Sequence, residues 1–158
     1  MKYHIWTSGC QMNVADSRRV ASALESIGYK PVQQAEEADV IVLNTCVVRQ
    51  SAEDRAYGRL NSLKSIKKMR PDLVINLMGC LVGVKGHSHL EKQFPLVDVF
   101  SPPSDPGPLI SFLAQDESRA FEDAETSRRF SFMDGELELP VKERGKLVSA
   151  YVPVVLGC

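Results

Sequence analysis

Short apolar runs alternate with longer stretches of helical periodicity along most of the chain. Residues 2–8 (KYHIWTS) read as a strand leading directly into Gly9 and Cys10. From Asp16 to Ile27 the apolar residues Val20, Leu24 and Ile27 recur at helical spacing, and Gly28 is placed to stop the helix. A brief extended piece is expected at Lys30 to Gln33, followed by an acidic turn at Glu36 and Glu37. Asp39 to Asn44 (DVIVLN) has the continuous β-branched character of a strand buried on both faces, as a parallel sheet requires, and it runs into Thr45 and Cys46. Ser51, three residues before Asp54, resembles a helix cap; Ala56, Leu60, Leu63 and Ile66 form the apolar face, and Pro71 ends the helix. Leu73 to Met78 (LVINLM) predicts another buried strand, running into Gly79 and Cys80. A glycine-rich loop, a short helix over His87 to Phe94, a strand over Leu96 to Phe100 and a helix over Pro108 to Ala114 complete the pattern.

This βα alternation predicts an α/β fold for residues 1–114, a three-layer domain with a parallel β-sheet flanked by helices. Residues 115–145 are polar and acidic over most of their length and read as a linker. Residues 146–158 resume a strand pattern (KLVSAYVPVVL) and end on Gly157 and Cys158.

Composition narrows the class. With 158 residues, 44% hydrophobic and 25% charged, the chain can hold one full domain and the start of another. No apolar run is long enough to span a bilayer, and residues 1–9 lack the features of a signal peptide, so a cytoplasmic protein without membrane attachment is expected. A net charge of -1 argues against a dedicated nucleic-acid binder. The charge is uneven: 13 basic against 11 acidic residues over 1–114, and 6 against 9 over 115–158.

Four cysteines this far apart do not make a disulfide scaffold, which points to metal binding or thiol chemistry. Cys10, Cys46 and Cys80 are separated by 36 and 34 residues, each close to one βαβ step of about 30 or more residues. Parallel strands share one carboxyl edge, where open α/β sheets bind ligands, so cysteines following three such strands approach one another there. Gly9 and Gly79 suit close backbone approach, and Asn44 and Thr45 suit a turn or a hydrogen bond near sulfur. The plainer alternative is three unrelated buried thiols. A zinc site would need a fourth ligand, for which His87 and His89 are the candidates, and neither stands at a strand end; both read as surface loop residues. Three thiolates instead suit a 4Fe-4S cluster with one iron lacking a protein ligand.

Thr7-Ser8-Gly9-Cys10-Gln11-Met12-Asn13 with Asp16-Ser17, then Asn44-Thr45-Cys46-Val47-Val48-Arg49, then Gly79-Cys80, together resemble the amino-terminal domain of radical S-adenosylmethionine methylthiotransferases over residues 1–114. That resemblance implies that Cys10, Cys46 and Cys80 bind an auxiliary 4Fe-4S cluster that takes part in sulfur insertion. The Gly-Cys-Gln-Met-Asn stretch is closest to the MiaB-type branch, which methylthiolates isopentenyladenosine beside the anticodon of tRNA. The branches acting on a ribosomal protein or on threonylcarbamoyladenosine carry other residues after the first cysteine. One departure is Leu81-Val82-Gly83 after Cys80, where that branch usually has Met-Ala-Gln. Val148 to Cys158 resembles the first strand of a radical-enzyme barrel, which makes Cys158 the first ligand of a second 4Fe-4S cluster and the chain a fragment, inactive alone. The rest of the barrel would bind S-adenosylmethionine and receive electrons from a donor.

Gln11, Asn13, Asn44 and Arg49 are candidates for hydrogen bonds around the cluster, with local turn capping the alternative for the two asparagines. The helix with Arg55, Arg59, Lys64, Lys67, Lys68 and Arg70 could present a basic face to RNA, although a solvated helix surface is the more ordinary reading. A rival of another class is a thiol or phosphocysteine transferase using Cys10 alone; it leaves Cys46 and Cys80 unexplained and has no arginine nearer than Arg18. A non-enzymatic rival is a zinc-stabilised or RNA-binding α/β module.

Overall fold

The computed structural model describes residues 1–47, 50–85, 87–115 and 140–141. Five strands, β1 (Lys2–Ser8), β2 (Lys30–Pro31), β3 (Val40–Thr45), β4 (Val74–Gly79) and β5 (Val99–Ser101), form one sheet in the order β2-β1-β3-β4-β5, with every neighbouring pair parallel. The helices are α1 (Gln11–Ser26), α2 (Gln50–Met69), α3 (Cys80–Lys85), α4 (His87–Gln93) and α5 (Gly107–Gln115), with a single 3₁₀ turn at Ala35–Glu37. This is the expected three-layer α/β arrangement. The strand order changes direction at β1 and β3, the position where open sheets of this type open a ligand crevice.

The central strands follow from their sequences. Every residue of β3 and β4 is buried, and alternate side chains enter two separate cores. Val40, Val42, Val74 and Met78 pack with Val20 and Leu24 of α1 and Leu109 and Leu113 of α5. Ile41, Leu43, Ile75 and Leu77 pack on the other face with Leu60 and Leu63 of α2, Leu81 of α3 and Leu90 of α4. At about 1.5–3 kcal/mol per buried large aliphatic side chain, these two faces dominate what holds the sheet together. The end of α1 is a Schellman turn: Gly28, at φ +87, donates its N–H to the Glu25 carbonyl, and Tyr29 donates to that of Leu24.

Four expectations need correction. Helix α1 begins at Gln11 rather than Asp16, because the Asn13 side chain accepts the Cys10 N–H and the residues buried first, Asn13 and Asp16, are polar and carry no apolar period. Ser51 lies inside α2, which starts at Gln50, so it is not the helix cap. The glycine-rich loop after Cys80 is helix α3, held down by Leu81, which is fully buried in the second core. Strand β5 starts at Val99 because Leu96 and Val97 are used in a turn, closed by the Val97 N–H donating to the Phe94 carbonyl.

Of the stretch read as a linker, Pro140 and Val141 fall within the described residues. Pro140 lines a cleft of about 410 Å³ between α1 and the β1–β2 edge, and the Val141 N–H donates to Glu25 Oε2 at 2.7 Å. The strand expected over 146–158, with Cys158, lies outside the described residues, as does Arg49.

Candidate metal centre

Register places the three cysteine-bearing strand ends side by side. Ser8 pairs with Thr45, and Thr45 with Gly79, so the last residues of β1, β3 and β4 form one row across three adjacent strands about 4.8 Å apart. Cys46 and Cys80 follow that row by one residue and Cys10 by two, and the Cys46 N–H donates to the Ser8 carbonyl at 3.0 Å, tying the β3 end to the β1 end. None of the three is in a disulfide; Cys46 and Cys80 are 4% and 7% exposed, while Cys10 faces solvent. The Cys10 thiol is turned toward Asn13 Oδ1 at 3.4 Å, and among the described residues no three Cys, His, Asp or Glu side chains are gathered closely enough to enclose a metal ion. The register thus sets the three cysteines at neighbouring strand ends, while their sulfurs are not gathered around one point.

Steric closeness at this edge explains the glycines. A Cβ at Gly9 would collide with the Asn13 side chain and sit 2.8 Å from Cys46 Cβ. At Gly79, φ is +100, and a Cβ would lie 2.5 Å from the Thr45 carbonyl oxygen and 2.7 Å from Asn44 Oδ1. Both glycines let the loops before the cysteines press against the β3 end, as their positions in the sequence suggested.

Beneath the cysteines runs a buried amide network. Asn13 and Asn44 are 1% and 0% exposed. Asn13 Nδ2 donates to Asn44 Oδ1 at 2.9 Å and to the Thr45 carbonyl at 3.3 Å, while Asn44 Nδ2 donates to the Asn13 carbonyl at 2.7 Å and to Ser17 Oγ at 3.0 Å. These donors fix both amide orientations, and Asn13 Oδ1 is left to accept the Cys10 N–H at 3.1 Å. Asn13 therefore caps its own helix and also locks α1 to β3. Gln11 lies exposed in the first turn of α1.

Sequence reasoning missed Thr7 and Ser17, whose hydroxyls share a hydrogen bond at 2.7 Å and extend this network to β1; Thr45, expected to turn the chain or bond near sulfur, donates its hydroxyl to the Met78 carbonyl at 3.0 Å. Thr7 and Ser17 do lie within the quoted motif, which was the available signal. Helices α1 and α3 also begin at this edge, and helix N-termini favour negative charge nearby.

The other sequence candidates lie elsewhere. His87 and His89 belong to helix α4, not to a loop, and His89 is exposed. Lys67 donates to both Asp98 carboxylate oxygens at 2.9 Å and to the Leu73 carbonyl; Arg70 pairs with Asp39 at 2.8 Å and donates to the Glu36 and Ala38 carbonyls. These two cations brace the amino-terminal edge of the sheet, opposite the cysteines. Arg18, the arginine a Cys10-only transferase would need, lines the cleft beside Tyr3 and His4.

Residues 2–101 match the family model described as Uncharacterized protein family UPF0004, a span that includes all five strands and the three cysteines. A protein of Herpetosiphon aurantiacus is 50% identical over 103 residues, covering 65% of this chain and 24% of the relative. One of Chloroflexus aurantiacus is 38% identical over 158 residues, covering 99% of this chain and 31% of the relative, and one of Dictyoglomus thermophilum is 34% identical over 162 residues, covering 99% and 35%. Each of the three is named tRNA-2-methylthio-N(6)-dimethylallyladenosine synthase. The chain spans about a quarter to a third of the length of these relatives. Their names agree with the resemblance read from the Cys10, Cys46 and Cys80 motifs, and with the family model matching its whole sheet, this chain belongs to the UPF0004 family.

Proposed function

We propose that this chain is the amino-terminal part of a tRNA methylthiotransferase that inserts a methylthio group at C2 of N6-dimethylallyladenosine beside the anticodon, and that Cys10, Cys46 and Cys80 hold its auxiliary 4Fe-4S cluster. The observation that carries the reading is the row Ser8, Thr45, Gly79 across three adjacent parallel strands, each followed within two residues by a cysteine. The names of the relatives supply the reaction and the substrate. In this reading residues 1–114 are the cluster domain, 115–145 a linker and 146–158 the start of the radical domain. Cys158 is then the first ligand of the second cluster, S-adenosylmethionine and the electron donor belong with that domain, and the protein works in the cytoplasm.

When bound, a cluster held by three thiolates supplies an iron without a protein ligand, at which a sulfur species can be presented for transfer. The chain's own residues do the rest. Cys46 and Cys80 are buried, so water is excluded from the sheet side of the site. Cys10, on the first turn of α1, is the solvent-facing ligand and marks the side from which a substrate base approaches. Asn13 holds the Cys10 backbone in place and, through Asn44, keeps α1 in register with β3. In the structure the Cys10 thiol is held by the capping box, toward Asn13 Oδ1 and the Asn13 N–H, contacts that ligation would exchange for iron.

The test is nucleoside mass spectrometry on tRNA from a bacterial strain lacking its own methylthiotransferase and carrying the full reading frame of this protein. The 2-methylthio derivative of dimethylallyladenosine should appear with the native protein and be absent with Cys46→Ala. Its absence with the native protein, or methylthiolation of threonylcarbamoyladenosine instead, would contradict the assignment.

A further inference from the structure

Asp16, quoted in the first motif, takes no part in the amide network, yet it is buried. Its Oδ1 accepts the Ser104 hydroxyl at 2.7 Å, and one turn later Arg19 Nη1 donates to the Ser104 carbonyl at 2.9 Å. Ser104 has φ +63, the left-handed region that a non-glycine residue seldom enters, and the two α1 side chains hold it by its hydroxyl and its carbonyl. It belongs to the segment 102–106 between β5 and α5, whose first end is anchored by the Ser101 hydroxyl donating to Asn76 Oδ1 at 3.1 Å in the sheet. The other contact of this segment is with α3: a Cβ at Gly83 would lie 3.3 Å from Pro103 Cδ, so the helix opened by Cys80 rests directly on the proline.

We propose that the segment 102–106 is a strut between the helix preceded by Cys10 and the helix opened by Cys80, and that Asp16, Arg19, Ser104 and Gly83 are positioning residues that set the separation of those two thiols. The inference rests on the reading that the three cysteines act together. Cys46 is held independently, through β3 and the Ser8 carbonyl, so the strut bears on Cys10 and Cys80 and leaves the β3 end alone. A physical consequence separates this from a general structural role. Loosening the strut weakens a probe that needs all three sulfurs more than one that needs two.

Inorganic arsenite bonds three thiols, releasing three waters, whereas phenylarsine oxide bonds two, releasing one. Both would be titrated into the reduced, metal-free chain and followed by sulfur-to-arsenic absorption. Ser104→Ala and Asp16→Ala should each weaken arsenite binding about fivefold to tenfold, the scale of one lost hydrogen bond, and Gly83→Ala, whose added Cβ crowds Pro103, should weaken it as well, all three leaving phenylarsine oxide binding within about twofold. Asp16→Asn, whose Oδ1 still accepts the Ser104 hydroxyl, should restore near-native arsenite binding. Equal weakening of both probes, or no weakening of either, would overturn the strut. Failure of the underlying reading looks different: the native chain would then bind no arsenite, or bind it undiminished in Cys10→Ser.

Discussion

Gly79 shows how one residue fixes the spacing at the carboxyl edge. It combines a φ of +100 with an approach to Thr45 that leaves no room for a side chain. Gly79→Ala should therefore lower stability by about 1–3 kcal/mol, measured as a shift of the urea unfolding midpoint. Asn13 acts by hydrogen bonding instead. Asn13→Ala removes the partner of the Cys10 N–H and leaves the Asn44 carbonyl oxygen without its donor. The expected loss is again about 1–3 kcal/mol, and a change below about 0.5 kcal/mol would show that water replaces the amide. The glycines before the cysteines were legible in the sequence because only a narrow set of roles suits Gly-Cys after a buried strand. The joint role of Asn13 was not, since its partners Asn44 and Thr45 lie 31 and 32 residues away and pair with it only once β3 stands beside β1.

At the scale of elements, β3 and β4 could be read almost to the residue because burial on both faces leaves a continuous apolar run, which few other settings produce. Helix α1 was read five residues short for the opposite reason. The buried residues of its first turns, Asn13 and Asp16, are polar, and its start is held by a side-chain cap that hydrophobic period does not report. Helix α3 was hidden by Gly83, whose missing side chain makes room for Pro103 rather than for a turn. The basic residues at the end of α2 are a third case, where a charge run resembles an RNA surface but two of its members are braces. Asp98 accepts the Ile75 N–H as well as Lys67. Asp98→Ala should lower stability by about 1–3 kcal/mol while leaving cluster loading unchanged, and loss of loading at unchanged stability would contradict the structural assignment. Lys64→Ala, by contrast, should shift the unfolding midpoint by less than about 0.5 kcal/mol.

For the whole molecule, the division between edges is the organising fact. The amino-terminal edge is tied by ion pairs, Lys67 to Asp98 and Arg70 to Asp39, while at the carboxyl edge amides and hydroxyls join α1 to β3 and Asp16 and Arg19 hold Ser104. Among the described residues no helix is long and apolar enough to cross a membrane. The chain covers a quarter to a third of the length of each of the three relatives. In the proposed function this domain contributes a single cluster, and that is the claim most open to a direct answer. The measurement is anaerobic reconstitution of the chain with iron and sulfide, with iron counted per chain and the visible absorption recorded. The account predicts a brown protein with about four irons on Cys10, Cys46 and Cys80, lost on substitution of any one of the three. A colourless product, or a cluster that survives Cys46→Ala, would contradict it.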